Sequence, residues 1–324
     1  MKNILVTGGL GFIGFNFIQD LVENYPLYYK PVCYDWETYA AQAWIKEKKE
    51  WLRKNGIHHE QGDIKNFDHV LDVCKRHKID TIVNFAAESH VDNSLKDSLP
   101  FIETNIIGTY SLLNVARELD LRFHQIGTDE VYGSVDPEKD YVDEHFETKT
   151  SSPYSASKAS ADLLTISYAK SFGLEATVSR CSNNFGPWQH PEKLIPKTIT
   201  NALEDKKIPV YGDGKQKRFW IYVKDHNEAV MRILENGKPG EIYNIAPAHA
   251  NLKLNIDIVK FILDCAGKPE TLIEHVTDRP GHDLCYYLEG KKIQEECGFV
   301  PRPSEKFYDD LASTVEWYKD AGHA

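Results

Sequence analysis

The sequence is short of the features that mark several common protein classes. It has no Cys-x-x-Cys pair: its 6 cysteines, Cys33, Cys74, Cys181, Cys265, Cys285 and Cys297, are scattered along 324 residues. A zinc ribbon or dithiol redox centre is not expected, and the thiols read as reduced and mostly buried. His58 and His59 are adjacent in an expected strand and point to opposite faces, so they do not share a metal. No metal site is expected. No apolar run approaches the ~20 residues of a membrane span. The start, Met1-Lys2-Asn3-Ile4-Leu5-Val6-Thr7, runs into glycines without the h-region or cleavage site of a secretory signal. A cytoplasmic protein with no membrane partner is expected. Positive charge is short too: 38 Lys and Arg stand against 49 Asp and Glu, a net charge of −11. A general binder of nucleic-acid backbone would be basic, so nucleic acid is not an expected partner.

What is present is a large core. Hydrophobic residues make up 41%, with 17 Tyr, 14 Phe and 6 Trp, which excludes disorder as the dominant state. The length suits about two domains. Apolar runs over 3–7, 30–35, 57–63, 81–87, 122–127 and 176–181 read as strands. Helical spacing over 12–24, 40–55, 67–76, 102–119 and 155–172 separates them. The run Lys46-Glu47-Lys48-Lys49-Glu50 reads as a solvated helix face. Strands separated by helices mean a parallel sheet covered on both faces. After Ser182 the rhythm changes to loops such as Phe185-Gly186-Pro187, Tyr211-Gly212-Asp213-Gly214 and Asp278-Arg279-Pro280-Gly281-His282. The expected fold is α/β: a Rossmann-type doubly wound parallel sheet over 1–182, with a smaller mixed α/β substrate-binding domain over 183–324. The second domain is expected to interleave with the sheet edge.

Thr7-Gly8-Gly9-Leu10-Gly11-Phe12-Ile13-Gly14 joins the first strand to the first helix, with Gly8, Gly11 and Gly14 at G-x-x-G-x-x-G spacing. Glycines permit a tight turn and let the backbone approach a pyrophosphate on free N–H groups at the helix start. About 20 residues beyond Gly14 comes Asp35, ending the second strand. A carboxylate there accepts from ribose hydroxyls and repels a 2′-phosphate, so NAD is favoured over NADP. Asp63 sits at the same sheet edge; it suits an adenine contact or a helix cap.

Pro153-Tyr154-Ser155-Ala156-Ser157-Lys158 puts Tyr154 and Lys158 one helical turn apart. A nearby ammonium is expected to lower the phenol pKa and make Tyr154 a base. With the glycine turn, this combination resembles the extended branch of the short-chain dehydrogenase/reductase superfamily, which acts on nucleotide sugars. Gly127-Thr128-Asp129-Glu130-Val131-Tyr132-Gly133 adds two consecutive carboxyls, and neighbouring carboxyls in different environments can divide into one acid and one base. Further stretches occur in order: Ala86-Ala87-Glu88-Ser89-His90-Val91-Asp92, Arg180-Cys181-Ser182-Asn183-Asn184-Phe185-Gly186-Pro187 and Pro191-Glu192-Lys193-Leu194-Ile195-Pro196. Together these motifs closely resemble the dTDP-glucose 4,6-dehydratase family, up to about Val223 and again over 278–283.

The resemblance implies roles. Tyr154 would take the C4 hydroxyl proton of the glucose unit as hydride passes to NAD. Thr128 would hold the C4 oxygen, and Lys158 would bind the nicotinamide ribose. Glu130 would remove the C5 proton, Asp129 would protonate the departing C6 hydroxyl, and hydride would return to C6. Gly8, Gly11, Phe12, Ile13, Gly14, Asp35, Asp63, Ile64, Ala86, Ala87, Tyr154 and Lys158 would contact NAD. Ser89, Thr128, Asn183, Lys193, Tyr211, Arg218 and Arg279 would contact the nucleotide-diphosphate-glucose. A homodimer through the helices over 102–119 and 155–172 is also implied.

Several positions depart from the family pattern. Gly127 replaces a serine, Phe219 an aspartate and Asn93 an arginine. The usual glycine pair is missing from Tyr243-Asn244-Ile245-Ala246-Pro247-Ala248-His249, and Leu284-Cys285 replace a basic pair. These changes leave the base open between thymine and uracil. UDP-glucose 4,6-dehydration, 5,6-dehydration and 4-epimerisation remain as alternatives, with a non-catalytic dinucleotide sensor beside them.

Overall fold

The computed structural model describes residues 1–248, 251–277 and 283–322. In chain order its strands are β1 (Lys2–Thr7), β2 (Tyr29–Asp35), β3 (His58–Gln61), β4 (Thr81–Asn84), β5 (Arg122–Thr128), β6 (Ala176–Cys181), β7 (Asn183–Phe185), β8 (Ile208–Tyr211), β9 (Lys217–Tyr222), β10 (Ile242–Ile245), β11 (Leu252–Leu254) and β12 (Ile273–Val276). Seven of them form one sheet in the order β10-β6-β5-β4-β1-β2-β3. Every pairing in it is parallel. β4 and β6 are buried along their whole length, as strands covered on both faces must be.

The helices Phe12–Asn24 and Val223–Asn236 cover one face, where Val6, Phe15, Phe17 and Ile233 pack. Phe67–His77, Thr109–Glu118 and Pro153–Phe172 cover the other, over Leu5, Val32, Leu112 and Phe123. The edge strand β10 and the helix Val223–Asn236 both come from the second half of the chain. The remaining strands form two small sheets, β11-β9-β7 and β12-β8. They pack with the helices Leu194–Leu203, Asn255–Ala266 and Lys306–Asp320. Among the described residues no helix is long and apolar enough to cross a membrane.

Strand order reverses between β1 and β4. The connections leaving these two strands therefore diverge and open a crevice at their carboxyl ends. The glycine turn follows β1, and the segment after β4 faces it.

Two expected helices differ. The helix over 40–55 is broken into Tyr39–Gln42 and Ile45–Lys54, with Trp44 between them at φ 55°. Trp44 stacks edge-on against Trp188, Trp317 and Tyr318, with centroids 6.2, 5.3 and 5.6 Å away. Left-handed strain costs ~1–2 kcal/mol, whereas burying an indole yields roughly 4–6 kcal/mol, so the break wins. Lys48, expected on the solvated face, is fully buried. The helix over 102–119 starts at Leu99–Phe101, widens to a π-helix at Ile102–Gly108 and becomes an α-helix at Thr109–Glu118.

Beneath the crevice, Arg180 Nε donates to Asp162 Oδ2 at 2.9 Å, with side-chain exposures of 3% and 0%. Arg180→Met would leave Asp162 buried without its hydrogen-bonded partner. We expect a loss of about 3–5 kcal/mol in urea unfolding, with much of it recovered in the double variant Asp162→Leu/Arg180→Met.

Candidate active site

The glycine turn is built by close contact. At Gly8 (φ +65°) an added Cβ would lie 2.7 Å from Ala86 N, and at Gly14 one would lie 2.4 Å from Gly8 O. The turn thus presses on the segment after β4, and the first helix presses on the turn. Any side chain at either place would push the N–H groups of the helix start out of the crevice. The first-turn N–H groups of Phe12, Ile13 and Gly14 have no intrahelical acceptor and carry the positive helix end.

Asp35 ends β2 beside this turn. Its Oδ2 accepts from Leu10 N at 2.9 Å and its Oδ1 from Glu37 N at 2.7 Å. Burial pushes its carboxyl up; the Glu37 and Leu10 N–H groups and the His59 and Lys48 charges pull it back. Asp63 accepts from Lys65 N at 2.9 Å, while Asn66 caps the following helix by accepting from His69 N. Asp63 is therefore no helix cap. Asp35, Asp63, Ile64, Ala86 and Ala87 line one cavity, with the exposed Trp36 at its wall. A carboxylate beside a turn with no room for a Cβ fits a ribose and pyrophosphate.

The helix Pro153–Phe172 starts sharply. Pro153 stands at its first position, and Ser152 and Ser155 exchange reciprocal bonds of 3.1 Å. This rigid start aims Tyr154 and Lys158 at the crevice. Lys158 Nζ donates to Ile126 O at 2.6 Å. Burial lowers the Lys158 ammonium, and the Asp162 carboxylate one turn on opposes that. Tyr154 departs from expectation: burial pushes its phenol well above the ordinary range, and Glu130 pushes the same way. Desolvation of the anion outweighs the ammonium one turn away. The Thr128 side chain is a hydrogen-bond partner of the phenol and opposes the rise.

β5 delivers the two carboxyls. Thr128 caps the 3₁₀-helix Asp129–Tyr132, its Oγ1 accepting from Glu130 N at 3.3 Å. The tight winding turns Asp129 inward, to 2% exposure, and leaves Glu130 half-buried at the cleft wall. Asp129 Oδ1 accepts from Thr128 Oγ1 at 3.4 Å, while its Oδ2 is buried without a partner. Burial, then the Glu130 charge, raises the Asp129 carboxyl well above the carboxylate range, which favours the neutral acid. Two consecutive carboxyls thus have different environments.

These residues share one open cleft of about 260 Å³. Its wall holds Gly8, Gly11, Phe12, Ile13, Gly14, Ala87 and Ser89 on one side. Thr128, Asp129, Glu130, Tyr154, Lys158, Asn183 and Lys193 complete it. Asn183, Lys193 and Glu130 also line an adjoining cleft with Tyr211 and Arg218. Lys193 Nζ donates to Ser89 O at 2.9 Å and ties the two sides together. Arg279 and His249 lie outside the described residues.

The structure adds side chains that no sequence spacing announced. Tyr286 Oη lies 3.5 Å from Glu130 Oε2 and donates to Asp283 Oδ2 at 2.8 Å. Arg218 stacks 4.2 Å over the Tyr286 ring and donates to Asp283 O at 2.8 Å. It therefore braces the segment over 283–286 as well as lining the cleft. Asn105, on the π-helix, accepts from Glu88 N at 2.9 Å and donates to Ser157 Oγ at 2.8 Å. It joins the segment after β4 to the helix of Tyr154 and Lys158. Two departures from the pattern acquire reasons. A Cβ at Gly127 would sit 2.5 Å from Ser179 O and 3.0 Å from Asp162 Oδ1. Phe219 is fully buried against Tyr287 and faces the core.

Residues 5–308 match the family described as GDP-mannose 4,6 dehydratase. The dTDP-glucose 4,6-dehydratase of Mycobacterium tuberculosis is 40% identical over 320 residues, covering 98% of this chain and 93% of that protein. The chain belongs to the dTDP-glucose 4,6-dehydratase family. Solved members of the family share its shape. The Bacillus anthracis dTDP-glucose 4,6-dehydratase, in complex with NAD, superposes with a TM-score of 0.89 at 39% identity, covering 99% of this chain and 97% of that one. The Streptomyces venezuelae enzyme, with NAD and TYD bound, gives 0.92 at 38% identity, covering 98% and 97%.

Tyr286→Phe removes the hydroxyl beside Glu130 and leaves the ring under Arg218. A fall in kcat of about tenfold is expected in steady-state assays, with the melting temperature little changed.

Proposed function

We propose that this chain is an NAD-dependent dTDP-glucose 4,6-dehydratase, a hydro-lyase that forms dTDP-4-keto-6-deoxyglucose. The observation that carries this reading is the split pair Asp129 and Glu130, set against Tyr154 in one cleft. A 4-epimerase keeps the C6 hydroxyl of its substrate and has no use for a buried neutral acid there.

NAD supplies a hydride acceptor for C4, a hydride donor for C6, and a positive charge beside Tyr154 that favours its phenolate. The turn at Gly8, Gly11 and Gly14, with Phe12 and Ile13, holds its pyrophosphate. Asp35, Asp63, Ile64, Ala86 and Ala87 hold its adenosine, and Lys158 its second ribose. Tyr154 takes the proton from the C4 hydroxyl while Thr128 holds that oxygen. The resulting 4-ketone acidifies C5–H, and Glu130 takes that proton. Asp129 gives its proton to the leaving C6 hydroxyl, and water departs. Glu130 returns its proton to C5 as hydride is delivered to C6, so the reaction is redox-neutral and NAD is used catalytically. Ser89, Asn183, Lys193, Tyr211 and Arg218, with Arg279, bind the sugar nucleotide.

The domain division follows: 1–182 for the cofactor and 183–324 for the sugar nucleotide, with β10 returned to the main sheet. Leu163, Phe172, Ile107 and Tyr110 expose between 49% and 61% of their surface on the helices over 102–118 and 153–172. A second copy of this chain covers them in a homodimer. The six free cysteines suit the cytoplasm.

Purified protein is expected to convert dTDP-glucose, read by the alkaline absorbance of the 4-keto-6-deoxy product; no product would overturn the assignment. Glu130→Gln should abolish C5–H exchange with deuterated solvent. Asp129 must carry its proton and Glu130 must not, so kcat should fall as pH rises through the raised value of Asp129 and fall again in acid as Glu130 gains a proton. In Asp129→Asn, dehydration should fall ~10²–10⁴-fold with the alkaline limb gone. Ile107→Glu with Leu163→Glu should halve the mass seen by light scattering.

A further inference from the structure

Lys48 lies wholly inside the protein, on the helix Ile45–Lys54. Its Nζ donates to Leu10 O at 2.9 Å, in the middle of the glycine turn. Asp35 holds the other side of the same residue, accepting from Leu10 N at 2.9 Å. One residue of the turn is thus gripped at its N–H by an anion and at its C=O by a cation. These partners lie 25 and 38 residues away in sequence, so neither bond belongs to the strand–turn–helix unit itself. The Phe15 and Trp188 rings lie 5.8 and 5.9 Å from Nζ.

A neutral donor would satisfy a carbonyl equally well, and a buried ammonium is costly to desolvate. A charge at this place has a use if an anion arrives beside the turn. We propose that Lys48 is a positioning residue of the cofactor site: a buried cation that fixes the glycine turn from behind and favours the dinucleotide pyrophosphate. This rests on the NAD reading above.

The site also has a titration that reports on it. Burial lowers the Lys48 ammonium to about 8, against the raising effects of Asp35, Cys33 and Glu47. The groups facing it are Asp35 and Cys33 from β2, Glu47 on its own helix, and His190 from the segment before Leu194. The Cys33 thiol is pushed well above its ordinary value and His190 below its own, so both titrations move away from that of Lys48. A nearby pyrophosphate stabilises the ammonium. NAD binding should therefore take up a proton near pH 8, and affinity should fall as pH rises.

The test is titration calorimetry of NAD and of adenosine into the full chain stripped of cofactor, at about pH 7 and about pH 9.5. For wild type, NAD binding should weaken about tenfold at the higher pH, with proton uptake read from buffers of different ionisation enthalpy; adenosine, which lacks the pyrophosphate, should not respond. Lys48→Met should bind NAD about tenfold more weakly at the lower pH and show no pH response. Lys48→Arg should bind tightly at both. Equal NAD affinity in Lys48→Met and wild type at both pH values would overturn the proposal. If Lys48→Met does not fold, the wild-type proton uptake decides: its presence supports the proposal and its absence overturns it. Wild type that binds no NAD at either pH would overturn the functional reading itself, and this inference with it.

Discussion

The site depends on one close approach. The backbone after β1 and the backbone after β4 meet at Gly8 and Ala86, with less room between them than a methyl group needs. This contact is possible because β1 and β4 are neighbours in the sheet although 73 residues separate Gly8 from Thr81, the first residue of β4. It holds the start of the first helix at the crevice, so that its free N–H groups face the same space as Thr128, Tyr154 and Lys158. Asp35 and Lys48 then lock the turn from the far side. Asn105 ties the segment after β4 to the helix of Lys158.

Around that frame, burial sets the chemistry. Asp129 and Glu130 are neighbours in sequence, yet the 3₁₀ turn buries one and leaves the other at the cleft wall. Desolvation raises the buried acid, and the adjacent charge raises it further. Desolvation pushes the Tyr154 phenol the same way, and the Glu130 charge adds to it. Deeper still, Asp162 meets both Lys158 and Arg180, and Gly127 leaves the space in which they meet.

Much of this was legible along the chain because it is local. Strand–turn–helix order, glycine spacing and the i, i+4 pair Tyr154 and Lys158 each sit within a few residues. Expected boundaries were therefore close to those observed, as for Phe12–Asn24 and Ala176–Cys181. The misreadings were long-range. Trp44 breaks its helix for Trp188, Trp317 and Tyr318, which come from distant parts of the chain. Lys48 sits in a run of five charged residues, and nothing nearby announces that the Leu10 carbonyl awaits it. Tyr286 stands 156 residues from Glu130 and obeys no spacing rule.

By itself, then, the sequence determined the order of elements, the dinucleotide turn with its acidic partner, and the residue types that the reaction needs. These follow from short-range sterics and from motifs read within one or two turns. Its overall shortage of cationic residues says nothing of where a single cation is buried, as at Lys48. The tertiary structure alone decided which lysine is buried, which of two adjacent carboxyls is desolvated, and which distant tyrosine stands beside Glu130. Those outcomes depend on desolvation and on contacts between segments far apart in the chain, and neither is written in local pattern.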